Sequence, residues 1–337
     1  MNVSYVCFDA KEKAALHTEP MNPELSPTQV MVKADFDLIS AGTELANYHG
    51  MPNTAGGQGY FPHCPGYSVS GHVVAVGGAV KTLKAGDNVV VRWSGHRSRF
   101  IKEESELFKI PEGVDQKIAA VAHLASFSFL GVRKLELQLG EAVMIAGQGL
   151  LGLFAAQIAR LSGACPVLVS DFSPERRALA LELGADYALD PAAPDFVEQV
   201  KALTDGNGPE AVVEVTGCIP ALQQALEYIA REGRITLLGC TRVSDQLIDF
   251  YRYVHLTGVS LIGCHTSTRP KVDSRPGRWT EFDDYRTFFK LVKAGKLQVE
   301  PIIHEVVSPR DAKEVYEKIG FQKNPPVGVL FDWRDFE

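Results

Sequence analysis

The stretch Gly147-Gln148-Gly149-Leu150-Leu151-Gly152 and the acidic residue Asp171 are the positions whose types and spacing speak most directly of chemistry. In a G-x-G-x-x-G turn the first glycine permits a tight reversal and the second lets backbone approach a pyrophosphate. The third lets the following helix pack closely on the strand before it. N–H groups at the start of that helix, around Leu150 and Leu151, then point at an anion. Asp171 can accept both hydroxyls of an adenosine ribose, and its charge repels a 2′-phosphate. The spacing therefore predicts a bound dinucleotide, NAD in preference to NADP. A plainer role for Asp171 is capping the helix that opens at Ser173-Pro174. Arg176 and Arg177 are near enough in sequence to receive a phosphate, with solvated helix charges as the alternative.

These residues need elements to hold them. Residues 142–146 form a short apolar run of the kind a buried parallel strand requires, 153–161 read as a helix, and 166–170 as a second strand with Asp171 at its end. Further strand-like runs at 211–215 and 234–238 precede Thr216-Gly217 and Gly239, which are either cofactor-lining turns or simply tight connections. Leu261-Ile262 before Gly263 reads as the last strand of the sheet. Upstream, residues 30–34, 71–76 and 88–91 are short β-like runs separated by Gly and Pro, which predicts an irregular, barrel-like β unit. The pattern turns helical from Gln116. After Cys264 a polar loop carries Arg269, Arg275 and Arg278. Helices are expected at 281–294 and near 312–319, with strands at 301–303 and 327–331 returning to complete the first unit.

Length and composition bound the class. A chain of 337 residues exceeds one ordinary core, and 45% hydrophobic with 22% charged residues reads as globular. A net charge of −7 argues against nucleic acid or an acidic membrane surface as partner. No apolar stretch is long enough to span a bilayer, and Met1-Asn2-Val3-Ser4 lacks a basic signal-like start, so a cytoplasmic location is expected. Six scattered cysteines (Cys7, Cys64, Cys165, Cys218, Cys240, Cys264) without C-x-x-C predict reduced thiols, most of them packed in strands or beside glycine turns.

Ser40-Ala41-Gly42-Thr43-Glu44, Pro65-Gly66-Tyr67 followed by the run from Gly71 to Gly77, Leu139-Gly140-Glu141 and Asp171 together resemble the medium-chain dehydrogenase/reductase superfamily over nearly the whole length. The resemblance implies an α/β architecture: a GroES-like β-barrel domain at 1–123, completed by 265–337, and a doubly wound parallel Rossmann sheet at 124–264. It also implies a zinc site, and here the chain departs from the pattern. Ala41 stands where the ligating cysteine belongs, Tyr67 and Ser68 replace His and Glu, and only His123 falls at or beside the last ligand position. The structural zinc lobe is missing too, since residues 94–109 contain no Cys. Catalytic zinc needs about three protein ligands, so no metal is expected. The Gly-Thr-Glu and Pro-Gly-Tyr pattern resembles a zinc-less branch that includes hydroxyethyl-bacteriochlorophyllide dehydrogenases.

Without zinc, a side chain must move the hydroxyl proton of an alcohol being oxidised. His123 is the leading acid/base and Tyr67 a second proton donor, against a core histidine and aromatic packing as plain alternatives. The resemblance places Thr43 as a proton-relaying hydroxyl. Glu44 orients a neighbour or holds substrate hydroxyls, unless both only cap a helix at 45–48. His49 and His96 read as surface or loop-anchoring residues. Arg269, Arg275 and Arg278, and likewise Arg92, Arg97 and Arg99, would favour an anionic group if they border the substrate. The expected activity is zinc-independent, NAD-linked interconversion of a secondary alcohol and a ketone. A hydroxyl-rich sugar, cyclitol or glycoside is the expected small-molecule substrate, with the nicotinamide facing Thr43, Tyr67 and His123. An NADPH-dependent quinone or alkene reductase and a non-catalytic NAD-binding protein are the alternatives. A homodimer or homotetramer is expected through the strand at Leu261-Ile262.

Overall fold

The computed structural model describes residues 1–54, 59–275 and 277–336. The chain forms two compact units, one of residues 1–124 with 299–337 and one of residues 125–298. The first opens with a hairpin, β1 (Asn2–Ala10) against β2 (Lys13–Pro20), which the sequence pattern had not indicated. There follow β3 (Gln29–Leu38), α1 (Ala41–Tyr48), β4 (Ser68–Val76), β5 (Asn88–Arg92), β6 (Arg99–Glu103) and β7 (Phe108–Lys109). Helix α2 (Gln116–Arg133) leads into the second unit.

There β8 (Val143–Ala146), α3 (Leu150–Leu161), β9 (Val167–Ser170), α4 (Pro174–Glu182) and β10 (Tyr187–Leu189) alternate as βα repeats. The series continues with α5 (Phe196–Ala202), β11 (Ala211–Glu214), α6 (Ile219–Tyr228), β12 (Arg234–Leu237), β13 (Ser260–Gly263) and α7 (Glu281–Lys293). The chain then returns to the first unit as β14 (Ile303–Val307), α8 (Ala312–Phe321) and β15 (Gly328–Asp332).

Strand β3 is the hub of the first unit. One stretch of it pairs with β15, another with β6, and β4 runs antiparallel along it, with register shifts at Met31/Val32 and Ala34/Phe36. Such bulges bend a strand enough for one sheet to curl around its own core. That core includes Val6, Phe8, Val32, Tyr48, Val89, Tyr316, Phe331 and Trp333.

The second unit holds a six-stranded parallel sheet in the order β10-β9-β8-β11-β12-β13. Strands β8, β9 and β11 are buried throughout, which is why their sequences read as continuous apolar runs. From β8 the chain winds outward to β9 and β10, then crosses back to β11. The ends of β8 and β11 therefore mark the reversal of strand order, where open parallel sheets bind ligands. The expected last strand is β13, at the sheet edge.

Two expectations need correction. The strand expected at 301–303 begins only at Ile303, because Glu300–Ile302 is a 3₁₀ turn in which Pro301 has no N–H for a ladder. The return to the first unit begins at Val299, and residues 265–298 stay with the second. Helix α7 buries Tyr285, Phe288 and Phe289 there, with Phe288 6.4 Å from Phe154 of α3. Beyond it, Gln157 Nε2 donates to the Gln298 carbonyl at 3.0 Å and Gln157 Oε1 accepts the Gln298 N–H at 2.8 Å. Among the described residues no helix is long and apolar enough to cross a membrane.

Candidate active site

The glycine turn joins β8 to α3, and each glycine has a distinct physical reason to be there. Gly147 takes φ +95, a left-handed conformation costly for any side chain. A Cβ on Gly152 would lie 1.9 Å from the Gly147 carbonyl oxygen, so this helix and strand can pack only without one. Gly149, the N-cap of α3, has nothing within 4 Å of a Cβ position; its missing side chain leaves open room beside the helix N–H groups that include those of Leu150 and Leu151. The turn thus fits a pyrophosphate at the helix start.

Asp171 follows β9. Its Oδ2 accepts the Gln148 N–H at 2.7 Å and its Oδ1 the Ser173 N–H at 2.8 Å, so the carboxylate is fixed against the glycine turn. Each oxygen keeps a second lone pair for a ribose hydroxyl. Capping of α4 falls instead to Ser173, whose Oγ accepts the Arg176 N–H at 3.3 Å. The Arg177 guanidinium donates to the carbonyls of Asp171 (2.7 Å) and Phe172 (3.1 Å) and pairs with Asp190 at 3.3 Å.

Next to β8, strand β11 ends in Glu214, a buried carboxylate that sequence reasoning passed over. It accepts the N–H of Thr216 at 2.7 Å, the N–H of Gly217 at 3.1 Å and the Thr216 hydroxyl. Burial pushes the Glu214 carboxyl above the usual range, against the pull of these donors. Gly239 closes on the same turn, since a Cβ there would lie 2.3 Å from the Gly217 nitrogen. A lone Glu at the end of an apolar strand, just before Thr-Gly, was the available signal.

In the first unit Tyr67, Trp93 and His123 form one cluster. The segment before β4 is hydrogen-bonded to the segment after β5: the Trp93 N–H donates to the Tyr67 carbonyl at 3.2 Å, Gly95 to Gly66 at 3.0 Å and His96 to Pro65 at 2.7 Å. This extends the β4–β5 ladder and sets the two aromatic rings side by side. Tyr67 and Trp93 stack at 5.1 Å, and both meet the buried His123 ring edge-on, at 5.7 and 4.8 Å. The Tyr67 hydroxyl donates to Ser40 Oγ. Sequence reasoning named Tyr67 and His123 but not Ser40 or Trp93. Trp93 is 50% exposed and sits at φ +51, which is uncommon for a bulky residue and typical of functional loops. Thr43, in the first turn of α1, is half-buried and its carbonyl accepts from Asn47 Nδ2 at 2.9 Å.

Glu44 is buried. It lies inside the unit, where Oε1 accepts the Ser40 N–H at 2.9 Å and Oε2 accepts from His96 Nε2 at 3.0 Å and from the Tyr316 hydroxyl at 2.5 Å. His96 is wholly buried, correcting any surface placement, and its Nδ1 bonds Asp37, which also accepts from Trp333 Nε1 at 3.3 Å. Burial alone would lower the His96 pKa, but the two carboxylates outweigh it and lift it to about 10. Burial likewise lifts Asp37 to about 6, partly offset by His96. An imidazolium clamped between two carboxylates anchors the loop behind Tyr67. Gly66 makes room for it, since a Cβ there would strike the His96 ring at 2.5 Å. His49 is a partly exposed residue paired with Glu12 at 3.0 Å.

The arginine loop of the second unit is structural at one end. Arg269 is buried, bonded to Ser126 and 3.4 Å from Asp284, which also pairs with Arg133 at 3.0 Å; its charge is used internally, and it does not reach for an anion. Arg275 and Arg278 are exposed and exchange backbone hydrogen bonds. Four of the six cysteines are exposed; only Cys7 and Cys264 are packed inside, which corrects the expectation that most would be.

At the positions that the resemblance assigns to zinc ligands stand a methyl group (Ala41), a phenol bonded to Ser40 (Tyr67), a hydroxyl donating to the Ala120 carbonyl at 2.6 Å (Ser68), and one imidazole (His123). That donor set does not fit a zinc ion, which asks for about three nitrogen, sulfur or carboxylate ligands. Among the described residues no group of three or more His, Cys, Asp or Glu is arranged to hold a metal.

Comparison with known proteins agrees with this architecture. Residues 28–128 match the family described as alcohol dehydrogenase GroES-like domain, and residues 151–282 match that described as zinc-binding dehydrogenase. The chain is 30% identical over 314 residues to L-threonine 3-dehydrogenase of Thermococcus kodakarensis, covering 83% of this chain and 84% of the relative. It is 28% identical over 253 residues to D-guloside 3-dehydrogenase of Escherichia coli, covering 74% and 72% respectively. A solved structure from Sinorhizobium meliloti, assigned as a zinc-binding dehydrogenase bound to NADP, superposes with TM-score 0.82 at 22% identity over 98% of this chain and 99% of that one. The chain belongs to the medium-chain dehydrogenase/reductase superfamily and is an oxidoreductase of its nicotinamide-dependent, alcohol dehydrogenase-like kind.

Proposed function

We propose that this protein is a zinc-independent, NAD-linked dehydrogenase that interconverts a secondary alcohol and a ketone. The observation that supports the reading is the Ser40–Tyr67–Trp93–His123 cluster, in which Tyr67 and His123 stand at or beside positions that the resemblance assigns to metal ligands. The chemistry supplied by a bound nicotinamide is hydride acceptance from, or return to, the carbon bearing the hydroxyl. On substrate binding the Tyr67 hydroxyl turns its proton from Ser40 Oγ to the substrate oxygen, and the Ser40 hydroxyl donates to the phenol oxygen in return. His123 takes up the hydroxyl proton, its ring held in place by edge-on contacts with Trp93 and Tyr67. Thr43 lends a further hydroxyl to the relay. Glu44 and His96 are positioning residues that hold the loop and the start of α1 without touching substrate.

The glycine turn would hold the pyrophosphate and Asp171 the adenosine ribose. Asp171 favours NAD because its fixed charge opposes a 2′-phosphate, and because Arg177, the adjacent cation, is spent on backbone carbonyls and Asp190. Similarity to dehydrogenases named for L-threonine and D-guloside supports a small, hydroxyl-bearing substrate. The edge strand β13 would pair with that of a second copy to give a dimer or tetramer.

The test combines metal analysis with variant kinetics. Purified protein should carry far less than one zinc per chain and bind NAD at least tenfold more tightly than NADP. Tyr67→Phe and His123→Ala should each lower kcat by about 100-fold with NAD affinity retained, since general acid/base groups contribute about that much or more. One tightly held zinc per chain, or full activity and an unaltered pH profile in His123→Ala, would overturn the mechanism.

A further inference from the structure

Beside the aromatic cluster the first unit holds a pocket of about 270 Å³ whose lining includes Glu19, Trp93, Ser94, Arg97, Arg99 and Lys102. Three cations face it against one carboxylate. Glu19 is already engaged by the Tyr5 hydroxyl at 3.3 Å, and Lys102 Nζ donates to the Trp93 carbonyl at 3.1 Å. The two arginines differ. Arg97 lies over the Tyr5 ring at 5.4 Å, yet Nε of Arg97, Nε of Arg99 and Oγ of Ser94 are all closed off from water without a hydrogen-bond partner among the described residues. Leaving such groups unmatched costs about 1–3 kcal/mol each, more when charged. With these three atoms unmatched behind it, the wall of the pocket carries guanidinium charge that its own residues do not answer.

Trp93 connects this pocket to the proposed chemistry. It lines the pocket, stacks on Tyr67 and meets His123 edge-on. We propose that the pocket receives an anionic group, a phosphate or carboxylate, of the substrate whose hydroxyl is handled at Tyr67 and His123, with Trp93 as the apolar platform beneath the carbon skeleton. The proposal rests on the dehydrogenase reading above. Guanidinium forks suit both anions because they can donate two parallel hydrogen bonds to a pair of oxygens. The volume is several times the roughly 30 Å³ that one water occupies, enough for an anion and its attachment. A neutral polyol would leave the arginines uncompensated.

Two measurements test it separately. Calorimetric titration of inorganic phosphate, and of acetate as the carboxylate probe, into the NAD-bound protein should show saturable binding by at least one of them. The Arg97→Gln/Arg99→Gln double variant should lose that binding at least tenfold while melting at the same temperature. Arg97→Lys, which keeps the charge but not the fork, should fall between. Turnover is then compared for neutral polyols and their phosphorylated or carboxylated counterparts. The charged member should be preferred at least tenfold in kcat/KM, and that preference should collapse in the double variant. Absence of anion binding, binding that survives the double variant, or equal use of charged and neutral members would each overturn the proposal. Anion binding of the expected kind without oxidation of any alcohol would instead strike the dehydrogenase reading, and with it the assignment of the pocket to substrate.

Discussion

Glu44 in the first unit and Glu214 in the second are each 1% exposed, yet the two carboxylates are accommodated by opposite means. Glu44 shares an imidazolium with Asp37, so the charge removed from water is answered by charge. Glu214 is held by a hydroxyl and two backbone N–H groups of its own turn. The difference matters because a buried ion deprived of its counter-ion cannot be rescued by solvent, whereas a carboxyl that rests on hydrogen bonds can protonate or become an amide at small cost. The first unit is therefore locked by electrostatics behind Tyr67, and the second by local turn geometry beside the glycine motif.

Substitution can break this contrast. His96→Ala leaves two buried carboxylates facing each other and should cost about 3–5 kcal/mol, read as a fall in the urea midpoint; a loss under about 1 kcal/mol would mean the imidazole is a spectator. Glu44→Gln keeps an oxygen for the Ser40 N–H and leaves Asp37 on the ring, so the expected loss is about 2 kcal/mol. It should come with a reduced kcat through displacement of Tyr67, and an undiminished kcat would detach the lock from the site.

The pH dependence is graded and has a definite sign. With His96 lifted to about 10 from an ordinary 6.5, the folded protein holds a proton that the unfolded chain releases. Stability conferred by His96 is complete below 6.5 and drains away as pH rises toward about 10. Asp37, lifted to about 6 from 3.8, adds a decline of the same sign at lower pH. Unfolding free energies measured from pH 6.5 to 10 should slope downward, and a flat profile would show that the imidazole is not charged in the folded state.

Least should happen at the other carboxylate. Glu214→Gln is expected to change stability by no more than about 1 kcal/mol, since the amide oxygen still accepts the Thr216 N–H. A loss comparable to that of His96→Ala would mean that the two units solve burial in the same way after all.

How much of this could be read beforehand differs between the units. Residues 142–171 could be read because every contact they need is local: a turn at φ +95, a helix start and a strand end all lie within one βαβ unit. The place of Asp171 after the strand is legible for that reason, although its two N–H donors are not. Between the surface and loop-anchoring readings of His96 the chain leaves the choice open, because the partners that decide for anchoring lie 59 and 52 positions away. Trp93, beyond the run at 88–91, carries no signal of its own, and Arg269 reads as a loop cation for an anionic group because its partners Ser126 and Asp284 are not evident along the chain. The first hairpin escaped notice because β2 has only one fully buried residue and hence little alternation.

Sequence alone therefore determined the two-unit α/β architecture, the glycine turn between strand and helix and the departure from the zinc-ligand pattern, since each depends on residue type at short, regular spacing. Only the tertiary structure decided that Tyr67 pairs with Ser40, that Trp93 joins the site to a basic pocket, and that Glu44 works from the interior. Those relations depend on which distant side chains are desolvated together. Desolvation belongs to the packed whole and leaves no periodic trace along the chain.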